Sequence, residues 1–207
     1  MRFTKKDLEV FEIPGFADRM QVIADEIRPK LAKLGELIQP QLSRLVNHDL
    51  HTHVAEHARR SVNPPEETWV AFGPAKEGYK AYTHFAFCVG KEGVQARVMA
   101  RQETDERVNL ADNIKKYYPH LVEMKGKREM IDFARKQNGK YAAIENWEGF
   151  LTETVDRLKS VQTSYFDVGI NLPLSGDLSS HAIQAFSKLV PFYALGRNGR
   201  STNGTSR

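Results

Sequence analysis

The densest group of reactive side chains lies between residues 48 and 60, where His48, His51, His53, Glu56, His57, Arg59 and Arg60 fall within thirteen positions. Within it His53-Val54-Ala55-Glu56-His57 spells H-x-x-E-H, the inverted zinc-peptidase signature. On a helix His53 and His57 would point the same way, as two zinc ligands must, with Glu56 as base for a bound water. A third ligand would have to come from Glu123, Glu129 or Glu145, none of which the sequence marks out. Non-metal chemistry is also open to this group. Arginine forks suit carboxylate or phosphate, histidines titrate near neutral pH, Asn63 can read an amide or hydroxyl, and Trp69 offers a stacking face. If residues 53–60 are extended, His53, His57 and Arg59 share a face; if helical, His53, His57 and Arg60 do.

Other chemistries find less support. No G-x-S-x-G elbow and no G-x-G-x-x-G occurs. Gly73 and Gly78 have P-loop spacing, but Tyr79 follows where lysine should and Pro74 removes a donor that would cradle phosphate. The single cysteine, Cys88, sits in an apolar run and reads as a buried, inert thiol. It also excludes an internal disulfide framework. Residues 115–140 carry eight cations, among them Lys115, Lys116, Arg128, Arg135 and Lys136, against three acids, with tyrosines interleaved. That is either a phosphate-tracking surface or an ordinary solvated face.

The elements that must position these groups follow from periodicity. Thr4-Lys5-Lys6-Asp7 opens a short helix that Pro14-Gly15 ends. From Phe16 to Val46 apolar residues recur at helical spacing, interrupted by Pro29, Gly35 and Pro40, which predicts a kinked rod or two to three helices in succession. Thr68 to Phe72 reads as a strand, and Ala81 to Val89 with Val94 to Gln102 as an antiparallel hairpin. Alternation puts Phe85, Phe87 and Val89 opposite His84, Ala86 and Cys88, and Val94, Ala96, Val98 and Ala100 opposite Gln95, Arg97, Met99 and Arg101. Helices are expected near 108–118, 147–160 and from Ser179 or Ser180 to about Tyr193, with a strand at 165–172. Met130 to Ala134 fits no one pattern. This order predicts an α+β fold: a mostly antiparallel sheet with helices packed mainly on one side.

The 207 residues are 41% hydrophobic and 27% charged, which fits one globular domain over 3–195. The opening twenty residues lack a secretory apolar run and no stretch is long enough to span a bilayer, so a cytoplasmic protein is expected. The net charge of +4 owes three units to residues 196–207, a Gly/Ser/Asn/Arg tail expected to be disordered.

Through His57-Ala-Arg-Arg-Ser-Val-Asn-Pro-Pro-Glu-Glu-Thr-Trp-Val-Ala-Phe72 the sequence resembles the YktB-like family of small uncharacterised bacterial proteins. Phe3 to Pro14, Pro29-Lys30-Leu31, Gly169-Ile170 and Leu189 to Tyr193 are similar to it as well, so the likeness covers about 3–195. It implies a single α+β domain and no known activity. Its pattern includes His53, His57, Arg59, Arg60, Asn63, Trp69 and His84, and at the position of Glu56 it often carries lysine, which a catalytic base could not be exchanged for. The expectation is therefore a small anionic ligand, bearing phosphate or carboxylate, bound by His53, His57, Arg59, Arg60, Asn63, Trp69 and His84, with Arg59 facing the histidines. Two alternatives stand beside it: an enzyme using the same histidines, with a metal on His53 and His57, and a nucleic-acid-binding module through residues 115–140.

Overall fold

The computed structural model describes residues 2–58, 61–104, 106–137 and 139–197. The chain opens with α1 (Lys5–Glu9), where the Asp7 carboxylate accepts from the Thr4 backbone N–H at 2.8 Å, as the Thr4/Asp7 spacing predicts. A 3-10 turn leads to α2 (Phe16–Val22), a π-turn at Ile23–Ile27 and α3 (Arg28–Val46). Pro29 falls in the first turn of α3, where its missing donor costs nothing, and α3 continues through Pro40 to a left-handed Asn47.

Next come β1 (His51–Val54), β2 (Glu67–Gly73), β3 (His84–Gly90) and β4 (Gly93–Ala100), then α4 (Glu106–Lys116) and α5 (Tyr118–Val122). The chain ends with β5 (Ile131–Asp132), α6 (Trp147–Ser160), β6 (Phe166–Leu172) and α7 (Leu178–Arg197). All six strands form one antiparallel sheet in the order β1-β2-β3-β4-β6-β5. The α+β class and the antiparallel sheet are as the sequence predicts.

Alternation decides what each sheet face does. Val70, Phe72, Phe85, Phe87, Val98, Phe166 and Val168 share one continuous core with apolar residues of α3, α4, α6 and α7. Phe85 stacks on Tyr193 at 4.5 Å and meets Phe186 edge-on at 5.3 Å. The opposite face has its own small apolar patch, Ala86, Cys88 and Met99 with Trp69 against it. Loops, the 3-10 turn at Tyr79–Ala81 and the Arg19 side chain border that face and leave grooves between them.

Several boundaries differ from the sequence reading. Residues 79–81 form a 3-10 turn and β3 starts only at His84. Asp177, rather than either serine, caps α7: its carboxylate accepts from the Ser179 backbone and from both serine hydroxyls. α7 runs on through Gly196 and Arg197, where Arg197 pairs with the buried Glu106 at 2.7 Å, so those two residues belong to the helix. The remainder of the tail, 198–207, lies outside the described residues. Among the described residues no helix is long and apolar enough to cross a membrane.

Candidate functional site

The open face of the sheet can be read row by row from its pairing. Trp69, Cys88, Gln95 and Asn171 lie abreast in one row, and His53, Ala71, Ala86, Arg97 and Gly169 in the next. In the third row His84, Met99 and Asp167 are neighbours. Small side chains at 71, 86, 88 and 169 keep the middle low while Trp69 and the loops rise around it. Gly169 is required there, because a Cβ would sit 2.6 Å from both the Ala96 carbonyl oxygen and the Arg97 Cγ.

Two depressions result. One, of about 640 Å³, is bordered by Asn63, Trp69, Gln95, Arg101, Tyr141 and Tyr165, with Arg97 and Asp167 in its floor. The other, of about 860 Å³, is bordered by His53, His57, Tyr79, Lys80, Trp69 and Arg101. Both volumes fall in the range of small-molecule sites. Trp69 and Arg101 border both, forming the ridge between them.

The floor of the first groove is a buried charge network. Arg97, 1% exposed, donates to both Glu67 oxygens at 3.0 and 2.6 Å and to the Gln95 amide oxygen at 2.9 Å. Its Nη1 lies 3.5 Å from Asp167, and its guanidinium lies over the Phe133 ring at 3.8 Å. Burial pushes the Asp167 carboxyl up to about 7, although the Arg97 charge pulls the other way. Burial also pushes the Cys88 thiol up, so Cys88 is the inert thiol that its strand setting predicts.

A chain of rings forms the floor and wall of the second groove. The Trp69 Nε1–H donates to the Tyr79 hydroxyl at 3.0 Å, His53 stacks on Tyr79 at 5.0 Å, and His84 meets Tyr79 edge-on at 5.0 Å. His57 meets Trp69 edge-on at 5.2 Å, and its Nε2 is 3.0 Å from the Thr68 hydroxyl. Thus His53, His57, Trp69 and His84 do come together, through a tyrosine that the sequence reading passed over. Asn63 lies at the first groove, on the other side of Trp69 from the histidines. Arg59 and Arg60, including the placing of Arg59 against the histidines, lie outside the described residues.

Three expectations change. Residues 51–54 are a strand and His57 has φ 54°, so neither the helical nor the continuous extended arrangement of 53–60 holds, and the spacing argument for a zinc pair on His53 and His57 goes with it. Among the described residues no three His, Cys, Asp or Glu side chains cluster as a metal site would need. His84 does not titrate near neutrality: burial holds it down to about 4, and its Nδ1–H donates to the Tyr82 carbonyl at 2.8 Å. Its role is to brace Tyr79. The expected cationic face of 115–140 is partly neutralised. Arg135 pairs with Asp132 and Glu153, and Lys136 with Glu66.

The residues that sequence reasoning missed are Tyr79, Arg97, Arg101, Tyr141, Tyr165 and Asp167. Arg101 stands out among them. Its guanidinium lies over the Tyr165 ring at 5.3 Å, and no carboxylate among the described residues pairs with it. Of the acids that line the first groove, Glu67 is paired with Arg97, and Glu66 with Lys136 and Lys91, which hold its carboxyl below the usual range, while Glu92 pairs with no cation among the described residues.

Comparison with known proteins finds one family along the chain. A UPF0637 protein of Lysinibacillus sphaericus is 30% identical over 93% of this chain and 94% of its own length. One of Staphylococcus epidermidis is 32% identical over 92% and 97%. A third, from Bacillus velezensis, reaches 53% identity over a shorter stretch, 41% of this chain and 40% of that protein. The family described as a domain of unknown function, DUF1054, matches residues 3–193. The chain therefore belongs to the DUF1054 family, the uncharacterised bacterial group that its 57–72 block resembles.

Proposed function

We propose that this is a cytoplasmic protein that binds a small anionic ligand on the open face of its sheet, with Arg101 as the anchoring cation. The observation that carries this reading is the guanidinium of Arg101 on the ridge between two grooves, against an aromatic ring and with no carboxylate paired to it among the described residues. A guanidinium so placed presents a planar fork suited to phosphate or carboxylate. The surrounding groups support the same role. Trp69 is fixed by its bond to Tyr79, and Tyr79 by His53 and His84, so the wall beside Arg101 needs little reorganisation on binding. The free thiol of Cys88 agrees with a reducing compartment.

The test is a titration with inorganic phosphate, ribose 5-phosphate and citrate, followed by tryptophan fluorescence. Trp147 is buried and donates to the Leu121 carbonyl, so Trp69 is the indole placed to respond. Saturable binding by at least one anion, weakened about tenfold or more in Arg101→Gln and less in Arg101→Lys, is the expected result. Binding that is unchanged in Arg101→Gln overturns the assignment.

A further inference from the structure

We propose that the anion bound here carries a heteroaromatic ring, in the manner of a nucleoside monophosphate, with the ring on the Trp69 side of the first groove and the anionic group at Arg101. This deepens the reading above and rests on it. Trp69 packs against Ala86, Cys88 and Met99, and its only hydrogen-bond donor is spent on Tyr79. What it offers the groove is therefore the surface of its ring rather than a polar contact. Tyr141 and Tyr165 border the same groove, so aromatic walls stand on both sides of the low floor.

Beside Trp69 in the same row, Gln95 accepts from Arg97 through its amide oxygen. That bond fixes the amide and leaves its N–H groups uncommitted among the described residues. A donor held next to a stacking surface is the arrangement that reads an acceptor on a ring edge, as a nucleobase provides and a benzene ring does not. The ring at Trp69 and the anionic group at Arg101 are held by different side chains, so a spacer such as a sugar joins them. A bare phosphate or a small dicarboxylate would fill only one end.

The experiment compares adenosine 5′-monophosphate, ribose 5-phosphate and adenosine by isothermal titration with the full chain, in wild type, Trp69→Leu, Trp69→Phe and Arg101→Gln. The expected result is that the nucleotide binds at least tenfold more tightly than ribose 5-phosphate, since stacking on an aromatic side chain supplies about that factor or more. Trp69→Leu should reduce nucleotide binding to the level of ribose 5-phosphate, while Trp69→Phe keeps an intermediate advantage. Arg101→Gln should weaken both phosphates and spare adenosine. Equal binding of the nucleotide and ribose 5-phosphate overturns the ring proposal and leaves the anion reading standing. Equal binding of nucleotide and adenosine, insensitive to Arg101→Gln, overturns the anion reading. No binding of any of the three at millimolar concentration overturns the ring proposal. Thermal unfolding of each variant separates lost binding from lost folding, and Trp69→Phe, which keeps a ring on the patch, carries the test if Trp69→Leu does not fold.

Discussion

Replacing Asp167 with Asn tests the electrostatics beneath the groove directly. Asp167 is 3% exposed, has one oxygen 3.5 Å from Arg97, and is raised by burial from 3.8 to about 7. Between those two values the native state keeps a proton that the unfolded chain has released, so the group's contribution to stability is full below about 4 and is lost as pH rises through 7. At about 1.4 kcal/mol per pH unit, the loss between pH 5 and 8 is about 3 kcal/mol. His84 tilts the wild-type curve the other way. Its value of about 4 makes its contribution present above about 6.5 and lost as pH falls through 4. The two slopes offset each other in the wild type, so the quantity to measure is the difference between proteins. Urea unfolding of wild type and Asp167→Asn, followed by far-UV circular dichroism at pH 5, 6, 7 and 8, should show the variant gaining about 3 kcal/mol relative to wild type across that range. A difference that stays flat within about 0.5 kcal/mol, or falls with pH, refutes the account of a carboxyl protonated by burial.

The same logic covers three further substitutions. His84→Gln should remove the acid-side loss, so that its stability relative to wild type rises by about 3 kcal/mol between pH 7 and pH 4 in the same urea assay. Arg97→Met leaves Glu67 and Asp167 without their cation and should cost about 3 kcal/mol at pH 8, and less at pH 5, where Asp167 holds its own proton. Arg197→Ala should cost about 1–3 kcal/mol in thermal or urea unfolding, because Glu106, 1% exposed at its side chain, would keep only the Thr83 N–H as a strong partner.

How much of this was legible beforehand depended on how local each feature is. The two faces of the β3–β4 hairpin follow from alternation alone, down to Gln95, Arg97, Met99 and Arg101 sharing a side. α6 is equally legible because Phe150, Leu151, Thr154 and Leu158 recur at helical spacing. β1 is not, since His51-Thr-His-Val54 is a short edge strand whose pairing to β2, rather than its composition, makes it a strand. Nor could spacing foresee the left-handed turn at His57, which ends the extended run before it reaches the arginines. In the site, Trp69, Asn63 and the histidines carry chemistry in their own names. Tyr79, Tyr141 and the Tyr165–Asp167 pair come from three separate segments and acquire meaning only where the sheet gathers them. One clue was available: a strand with two arginines and a glutamine on one side cannot present that side to an ordinary apolar core.

The shortest strands of the sheet stand at its margins. β1 has four residues and β5 two, and β5 is bridged on its far side where Ile131 pairs with Ala143. The four long strands, rich in valine, phenylalanine and alanine, are all interior. Little unpaired backbone is left on which a second chain could extend the sheet, and the segments best suited to cross-β stacking are shielded by their own neighbours. Self-association into fibrils should therefore require loss of the hairpin itself. Fraying at the margins should not be enough, and aggregation rates should track global unfolding.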